Sequence, residues 1–457
     1  MRLVSLLSIG FLTACVPSPG ADVSMNQSKA ATSTSTSTSA MNRFGLTAAP
    51  RPSRSNGEIA RDFMELSFMM ESGRALPVFA RFEGPITVRT AGAVPPNAAT
   101  DLARLLQRFR NEAGLNIREV ASGPASINIE FVPRNVIRAT YANVACFVVP
   151  RVSSWAEFRA GRNTGVLDWT SLKQREHVSV FIPADSSAQE VRDCLHEETA
   201  QAMGPLNDLF RLTDSVFNDD NFHTALTGFD MTILRAFYAP ELQSGMTQAQ
   251  VAAKLPGILA RINPSGNHGG ASEVNPTPRF WINQIQTALG TSGSVSSREN
   301  AARQAVATAR AQGWTAGRLA FSYFALGRIS LTSNPAAAIE AFTQAGLIYS
   351  RLPGGDIYGA HVDMQLAAFA LSRGEADRAL NIANRNLPIV ARAENASLMA
   401  TLMLVKAEAL QMQGKSSEAA AVRIDSQGWA RYGFGSEAQI RARAAEISAL
   451  ARRGNKS

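Results

Sequence analysis

Three alanines recur at nearly constant spacing in the last third of this 457-residue chain. Ala338, Ala379 and Ala419 lie 41 and 40 residues apart, and almost every residue from Arg298 onward favours helix. Turn-forming residues precede each alanine, at positions 333–335, 374–377 and 414–417. A turn followed by a small residue and an alanine-rich helix is the pattern of a helical repeat whose units stack on their neighbours. The pattern predicts an all-α region over residues 298–452.

This pattern is similar to tetratricopeptide repeats, in which alanine lets antiparallel helices approach closely. The usual period is about 34 residues, and Leu326-Gly327 of the first unit is not reproduced in the later ones. A generic array of helical hairpins therefore stays open. The resemblance implies a curved solenoid that holds an envelope protein or peptide partner. The alternative is a helical bundle that only supports the preceding domain.

The start of the chain carries an export signal. Met1-Arg2 precedes a short apolar stretch that ends at Leu12-Thr13-Ala14-Cys15, which resembles a bacterial lipobox. The resemblance implies a signal peptide over residues 1–15 and a lipid anchor on Cys15, because lipoprotein processing needs that thiol as acyl acceptor. Val16 after the cysteine implies the outer membrane, with the protein facing the periplasm. A plain secretory signal is the alternative, and it also gives export.

Residues 16–56 are rich in Ser, Thr, Pro and Ala and contain almost no large apolar side chain. Such a composition cannot bury enough apolar surface to fold. We expect a disordered tether between the lipid and the folded body.

Export also bears on the two other cysteines. With Cys15 consumed by the lipid, Cys146 and Cys194 remain as a pair in an oxidising compartment. We predict a disulfide between them, with two unpaired buried thiols as the alternative.

The middle of the chain mixes helix and strand patterns. Helices are predicted from Gly57 to Met70, from about Asn97, and from Ala188 to Met203. Extended segments are predicted at residues 78–82, 86–89, 127–132, 145–149 and 177–182. These elements predict an α+β domain with a mixed sheet over residues 57–246, followed by a linker with short helices over 247–297.

One helix of this domain carries the spacing of a zinc peptidase. Metzincins read H-E-x-x-H-x-x-G-x-x-H, with two metal ligands on one helical face, a glycine turn and a third ligand beyond it. Here Glu197, Gln201 and Asn207 occupy the three ligand places, Glu198 keeps the place of the general base, and Gly204 keeps the turn. Every spacing fits, but all three histidines are replaced.

The resemblance continues beyond the helix. Ser215–Asn218 lies where metzincins place a methionine turn, with Phe217 in place of the methionine, and Leu226–Tyr238 resembles the closing helix of matrixin-like domains. The domain over 57–246 thus resembles a degenerate metzincin domain, of the kind found in an uncharacterised proteobacterial lipoprotein family.

The replaced side chains argue against the usual chemistry. Zinc prefers histidine nitrogen or cysteine sulfur, whereas the amide oxygens of Gln201 and Asn207 are hard, weak ligands. Without the metal, nothing lowers the pKa of a water for Glu198 to deprotonate. We therefore expect no cofactor, with zinc disfavoured, and a catalytically inactive domain. The alternative is a divergent metal-dependent peptidase or cell-wall hydrolase that uses Glu198 with oxygen ligands from Glu197, Gln201 and Asn207.

Two further candidates are weaker. His196 sits in the helix, but the residue four positions on is Ala200, so a core role is favoured over a ligand role. The acidic residues Asp208, Asp214, Asp219 and Asp220 lack the spacing and glycine of a calcium loop, which favours a solvated loop.

These features together predict an envelope lipoprotein that acts in protein binding or scaffolding. The formal charge of +8 could suggest nucleic acid as a partner. Export, and the lack of aromatic residues interleaved with the arginines, disfavour nucleic acid as a partner.

Overall fold

A computed structural model of the chain describes residues 41, 44–141, 144–220, 222–270 and 275–454. The predicted lipid-bearing Cys15 and residues 16–40 of the predicted tether lie outside the described residues. The described chain has an α/β region with a five-stranded mixed sheet, followed by an all-α region. Within those ranges, no helix combines the length and the apolar content needed to cross a membrane.

The α/β region begins with a capped helix. Ser55 accepts a hydrogen bond from the backbone N–H of Glu58, whose carboxylate accepts in return from the Ser55 backbone, so helix α1 starts at Asn56. The helices of this region are α1 (Asn56–Phe68), α2 (Ala98–Glu112), α3 (Arg134–Arg138), α4 (Trp155–Gly161), α5 (Ala188–Met203), α6 (Gly228–Phe237) and α7 (Gln248–Ile262). The strands are β1 (Ile86–Gly92), β2 (Ile117–Glu119), β3 (Ile127–Val132), β4 (Phe147–Pro150) and β5 (Val178–Pro183).

The strand order in the sheet is β2-β1-β3-β5-β4. The first three pairings are parallel, and β4 alone pairs antiparallel, with Val148 opposite Val180 of β5. Every residue of β5 is buried, as expected for a strand covered on both faces. Strand β4 therefore forms one edge of the sheet, next to helix α5.

One predicted strand is absent. Residues 78–82 form no regular strand; the Phe79 N–H donates to the Met246 carbonyl, and the Phe79 carbonyl accepts from Gly245. The Phe79 ring packs 4.4 Å from that of Phe237, measured between centroids. This segment pairs with a loop and fills the space between α1 and α6, so its apolar residues serve the core rather than the sheet.

The all-α region contains consecutive packed helices. They are α8 (Arg279–Leu289), α9 (Val295–Ala311), α10 (Gly317–Ser330), α11 (Pro335–Tyr349), α12 (Gly355–Ser372), α13 (Ala376–Arg392), α14 (Ala396–Met412), α15 (Ser416–Phe434) and α16 (Glu437–Gly454). The alanines Ala338, Ala379 and Ala419 are completely buried, as expected where small residues let helices approach. The helical array, as we call α8–α16, confirms the all-α prediction.

The segment predicted as a linker over 247–297 is divided between the two regions. Helix α7 packs on α1 and contributes Val251, Leu255 and Leu259 to the core of the α/β region. Helix α8 contributes the fully buried Trp281 to the core of the helical array. The α/β core thus extends past residue 246, where the sequence pattern placed the end of the domain.

The two regions share an aromatic core. Phe210 and Phe222 belong to the segment between α5 and α6, yet they are buried in the cluster of the helical array. The Phe222 ring lies 4.7 Å from that of Tyr358 and 5.0 Å from that of Phe324. The Phe210 ring lies 5.1 Å from that of Trp281. The segment of residues 206–226, here the docking segment, therefore joins the two regions.

The predicted tether over 16–56 ends earlier than its composition suggested. Phe44 is buried, with its ring 5.7 Å from that of Trp429 and 5.6 Å from that of Tyr432, and the Arg192 guanidinium lies over it. Phe44 thus packs against helices α5 and α15 through these contacts, well before residue 56.

Replacing Phe222 with alanine tests the shared core. Phe222 is 4% exposed, and truncating a buried phenylalanine costs about 3–5 kcal/mol. We expect the Phe222→Ala variant to unfold at a clearly lower urea concentration. Phe280→Ala removes a ring that is 53% exposed and is the matched control, with an expected change of about 0.5 kcal/mol or less. Equal midpoints for the two variants would show that the docking contact contributes little.

Candidate functional site

Helix α5 carries one stripe of polar side chains toward a cavity. Ser187 and Glu190 form a capping box that starts the helix. Residues three and four apart lie on one helical face, so Glu190, Asp193, Glu197 and Gln201 share a face, and all four line the cavity.

A buried arginine fixes the end of helix α5. The Arg175 guanidinium donates to the carbonyls of Gln201, Ala202 and Gly204 at 2.8, 2.7 and 2.5 Å. The Gln201 carbonyl also accepts from the Gly204 N–H at 3.1 Å. These carbonyls lie at the C-terminal end of the helix, where a cation is favourable. Arg175 precedes the helix and belongs to no motif, so the sequence analysis missed it.

Gly204 is required at the turn after α5 by close packing. A Cβ atom on Gly204 would lie 2.5 Å from the Phe237 ring, so no larger residue fits without a shift. The close contact with Phe237 of helix α6 explains why glycine occupies the predicted turn at position 204.

The cavity has a volume of about 520 Å³, within the usual range for ligand pockets. It lies between α5, strand β4, the turn after α1 and the docking segment. Apolar residues form part of its wall, among them Met70, Phe147, Val148, Trp169 and Leu206.

Carboxyl groups dominate the polar part of the cavity. Among the described residues that line it are seven carboxyl side chains and one arginine, Arg134. The carboxyl side chains are those of Glu71, Glu190, Asp193, Glu197, Glu198, Asp208 and Asp219. The structure thus brings together acidic residues from α5, the turn after α1 and the docking segment.

Burial and mutual repulsion disfavour the charged form of these groups. Desolvation, followed by the nearby Glu71 and Asp219, raises the pKa of Glu197 to about 8. Desolvation, followed by Glu197 and Glu71, raises the pKa of Glu198 well above its ordinary range. Desolvation, followed by the nearby Glu71, raises the pKa of Asp208 well above its ordinary range.

The three degenerate ligand positions do not converge. Glu197 and Gln201 line the cavity, but Asn207 does not, and its amide donates to the Glu65 carbonyl at 3.2 Å. Asp208 takes that side of the cavity instead, and accepts from the Gln201 amide at 3.4 Å. In the described part of the chain, no three His, Cys, Asp or Glu side chains are arranged to hold a metal ion. The motif positions supply one carboxyl group and two amides, and the Asn207 amide lies away from the other two, so these donors do not match the nitrogen and sulfur ligands that zinc prefers.

The segment in the place of the methionine turn is fixed by a buried carboxylate. Asp230 accepts hydrogen bonds from the Ser215 hydroxyl at 2.5 Å and from the backbone of Val216 and Thr227. Phe217 is completely buried. Val216, next to it, lines the cavity.

The acidic run of the docking segment has several roles. Asp208 and Asp219 line the cavity, Asp214 pairs with Arg54, and Asp220 accepts from the Phe222 N–H at 3.1 Å. The solvated-loop interpretation therefore fits only the exposed Asp219.

His196, favoured as a core residue, is buried. Its Nδ1 atom accepts from the Leu226 N–H at 3.1 Å. This bond ties α5 to the end of the docking segment.

The predicted disulfide is confirmed. Cys146 and Cys194 are bonded, with 6.0 Å between their Cα atoms, and close a separation of 48 residues. Both line the cavity. The bond ties the start of β4 to α5, so two walls of the cavity are covalently joined.

Residues 56–257 match the model of a family described as a protein of unknown function, DUF2927. This range covers the α/β region from α1 into α7 and includes the cavity. No curated protein matches the chain significantly, and no solved structure does.

The raised pKa of Glu197 predicts a pH-dependent stability. Its folded-state pKa of about 8 exceeds the ordinary value of 4.5, so the folded protein holds a proton that the unfolded chain loses. The free energy of unfolding should therefore fall as pH rises from about 4.5 to 8. We expect Glu197→Gln to reduce the difference in the free energy of unfolding between pH 5 and pH 8 by roughly 1–3 kcal/mol, as measured by thermal unfolding. This is less than the full pKa shift would give at about 1.36 kcal/mol per pKa unit, because Glu197 is only half-buried.

Glu119→Gln is the matched control, because Glu119 is exposed at the far edge of the sheet. It should leave the difference between the two pH values unchanged. A Glu197→Gln variant with the wild-type pH dependence would mean that Glu197 is ionised at neutral pH in the folded protein.

Proposed function

We propose that this chain is an envelope lipoprotein that binds an extended peptide segment of a partner and does not hydrolyse it. The observation that carries the proposal is the position of the cavity beside the edge strand β4. Phe147 and Val148 of that strand line the cavity, and in the described residues β4 pairs only with β5.

An edge strand offers unpaired backbone groups to another chain. Peptides bind such edges by adding a strand, so that backbone hydrogen bonds supply affinity and adjacent pockets supply specificity. Strand β4 is four residues long, and the cavity opens next to it. The two features together suit a short extended segment with one side chain in the cavity.

The side chains in the cavity argue against hydrolysis by the zinc route. Two of the three ligand places hold amides, and Asn207 lies away from the cavity. Burial, followed by the neighbouring Glu197 and Glu71, raises the pKa of Glu198, which disfavours the ionised form that a general base needs. The alternative, a divergent metal-dependent hydrolase using Glu198, requires stoichiometric metal and chelator-sensitive cleavage.

The helical array supports the scaffolding part of the proposal. Its aromatic residues Tyr358 and Phe324 bind the docking segment of the same chain, so the array positions one wall of the cavity. An envelope partner of the array would use the surfaces that this contact leaves free.

Replacing Cys15 tests the anchor. We expect the wild-type protein to incorporate an alkyne-labelled palmitate and to fractionate with membranes, because lipidation anchors an otherwise exported body. Cys15→Ala should lose the label and leave the outer-membrane fraction, whereas Ser18→Ala should behave as wild type. A Cys15→Ala variant that still carries the label would show that Cys15 is not the lipidation site.

Closing the mouth of the cavity tests peptide binding. Ser72 is exposed and lines the cavity, so Ser72→Trp should obstruct it without disturbing the core. In affinity selection from random heptapeptides read by mass spectrometry, we expect at least about a tenfold loss of retained peptide and no cleavage products.

The matched control is Ser122→Trp, at an exposed position in the loop before β3. It should retain peptides as the wild type does. Retention by Ser72→Trp at the wild-type level would move the binding site away from the cavity. Zinc-dependent cleavage by the wild type would favour the hydrolase instead.

A further inference from the structure

The cavity is acidic at every depth. Glu71 and Asp219 are exposed at its mouth, Glu197 and Asp208 are half-buried, and Glu198 is only 6% exposed. Carboxyl groups therefore continue from the surface to the most buried part of the cavity.

The deepest carboxyl group lacks a partner. The Oε2 atom of Glu198 is buried and has no hydrogen-bond partner, and the same holds for Oδ1 of Asp208. An unpaired buried polar atom costs about 1–3 kcal/mol, and buried polar atoms in native proteins are nearly always paired. Oδ1 of Asp193 and Oγ1 of Thr224 are also unpaired, so four such atoms belong to residues that line the cavity. Together they indicate that a ligand supplies the missing partners.

The arginines near the cavity have partners other than Glu197, Glu198 and Asp208. Arg134 pairs with Glu190 and donates to the Ser186 hydroxyl, and Arg279 donates to the Glu71 carbonyl. Within the described ranges, Glu197, Glu198 and Asp208 form no ion pair.

We propose that the cavity is a recognition pocket for the cationic side chain of a lysine or arginine on the bound peptide, with Glu197, Glu198 and Asp208 as its acceptors. The proposal rests on the peptide binding proposed above and specifies the side chain that is recognised. Glu198 and Asp208 supply the unpaired oxygens, and Glu197 supplies a third carboxylate on the α5 face.

The shape of the cavity suits such a side chain. Lysine and arginine combine an aliphatic stem with a charged head. The stem would lie against Val148 and Leu206, and the head would meet Glu198. A bound cation would favour the ionised form of these carboxyl groups, whose pKa is raised without it. Hydrogen bonds between a cation and carboxylates are about twice as strong as neutral ones, so the head group would dominate recognition.

A peptide is favoured over a metal ion or a free amine. The described His, Cys, Asp and Glu side chains nowhere form a group of three that could hold a metal ion. A free polyamine would make no use of the unpaired edge of β4, whose residues Phe147 and Val148 line the same cavity.

The test is affinity selection with the full chain and four heptapeptide pools. Each pool has random flanks and one fixed central residue: lysine, arginine, norleucine or glutamate. We expect the lysine and arginine pools to be retained at least about tenfold more than the norleucine pool, and the glutamate pool least. The preference should weaken as salt is raised from 50 to 300 mM, because salt screens the charges at the exposed mouth.

Variants of the acceptors test the residues. Glu197→Gln and Glu198→Gln should each reduce the preference for lysine over norleucine by about tenfold. Each substitution removes a carboxyl group that the neighbouring carboxyl groups repel, so both variants should fold. Circular dichroism and the unfolding midpoint will verify this. Glu119→Gln, at the far edge of the sheet, should keep the wild-type preference.

The outcomes separate this inference from the peptide-binding proposal. Equal retention of the norleucine and lysine pools would overturn the cationic pocket while leaving peptide binding intact. Retention of no pool would overturn both. Displacement of the lysine pool by millimolar spermidine supports an organic-cation pocket. Displacement by micromolar calcium would overturn it in favour of a metal site.

Discussion

The packing of one irregular segment against two different cores determines the rest of this structure. The docking segment of residues 206–226 leaves helix α5, contributes Asp208 and Val216 to the cavity, and inserts Phe210 and Phe222 into the helical array. Asn218 connects both sides, because its amide donates to the Leu212 carbonyl at 2.7 Å and to the Tyr358 hydroxyl at 3.2 Å. Without the array, this wall of the cavity would have no fixed position.

Burying the carboxyl cluster destabilises the fold, and among the described residues no ion pair to Glu197, Glu198 or Asp208 offsets this. Burying charged groups is unfavourable unless they are paired, and Arg175 shows that this protein can neutralise a buried dipole with an arginine when needed. In the part of the chain that the structure describes, no cation pairs with Glu198, and its Oε2 atom has no hydrogen-bond partner. The proposed cationic ligand rests on this observation.

Sequence spacing predicted the elements of the site but not the direction of every side chain. Helix α5 was placed at Ala188–Met203, because capping and apolar periodicity act locally. Helical periodicity stops at Gly204, so it could not tell that Asp208, and not Asn207, lines the cavity. Arg175 and Glu71 come from distant turns, which only the tertiary fold brings to the site. Residues 78–82 were predicted to be extended, but their backbone pairs with the loop at residues 245–246 rather than with the sheet, which local sequence could not show.

The repeat pattern alone does not show which surface of the helical array is covered by the rest of the chain. The buried alanines at 338, 379 and 419 fix how closely the helices pack, but the pattern does not say what covers the array. Gly354, with φ of +71°, starts α12 against Thr213 and Asp214, where a Cβ would lie 2.6 Å from the Thr213 carbonyl oxygen. The helix that carries Tyr358 is therefore shaped to receive the docking segment. Any partner that shifts α12 would move Asn218 and Phe222 with it, and through them the wall of the cavity.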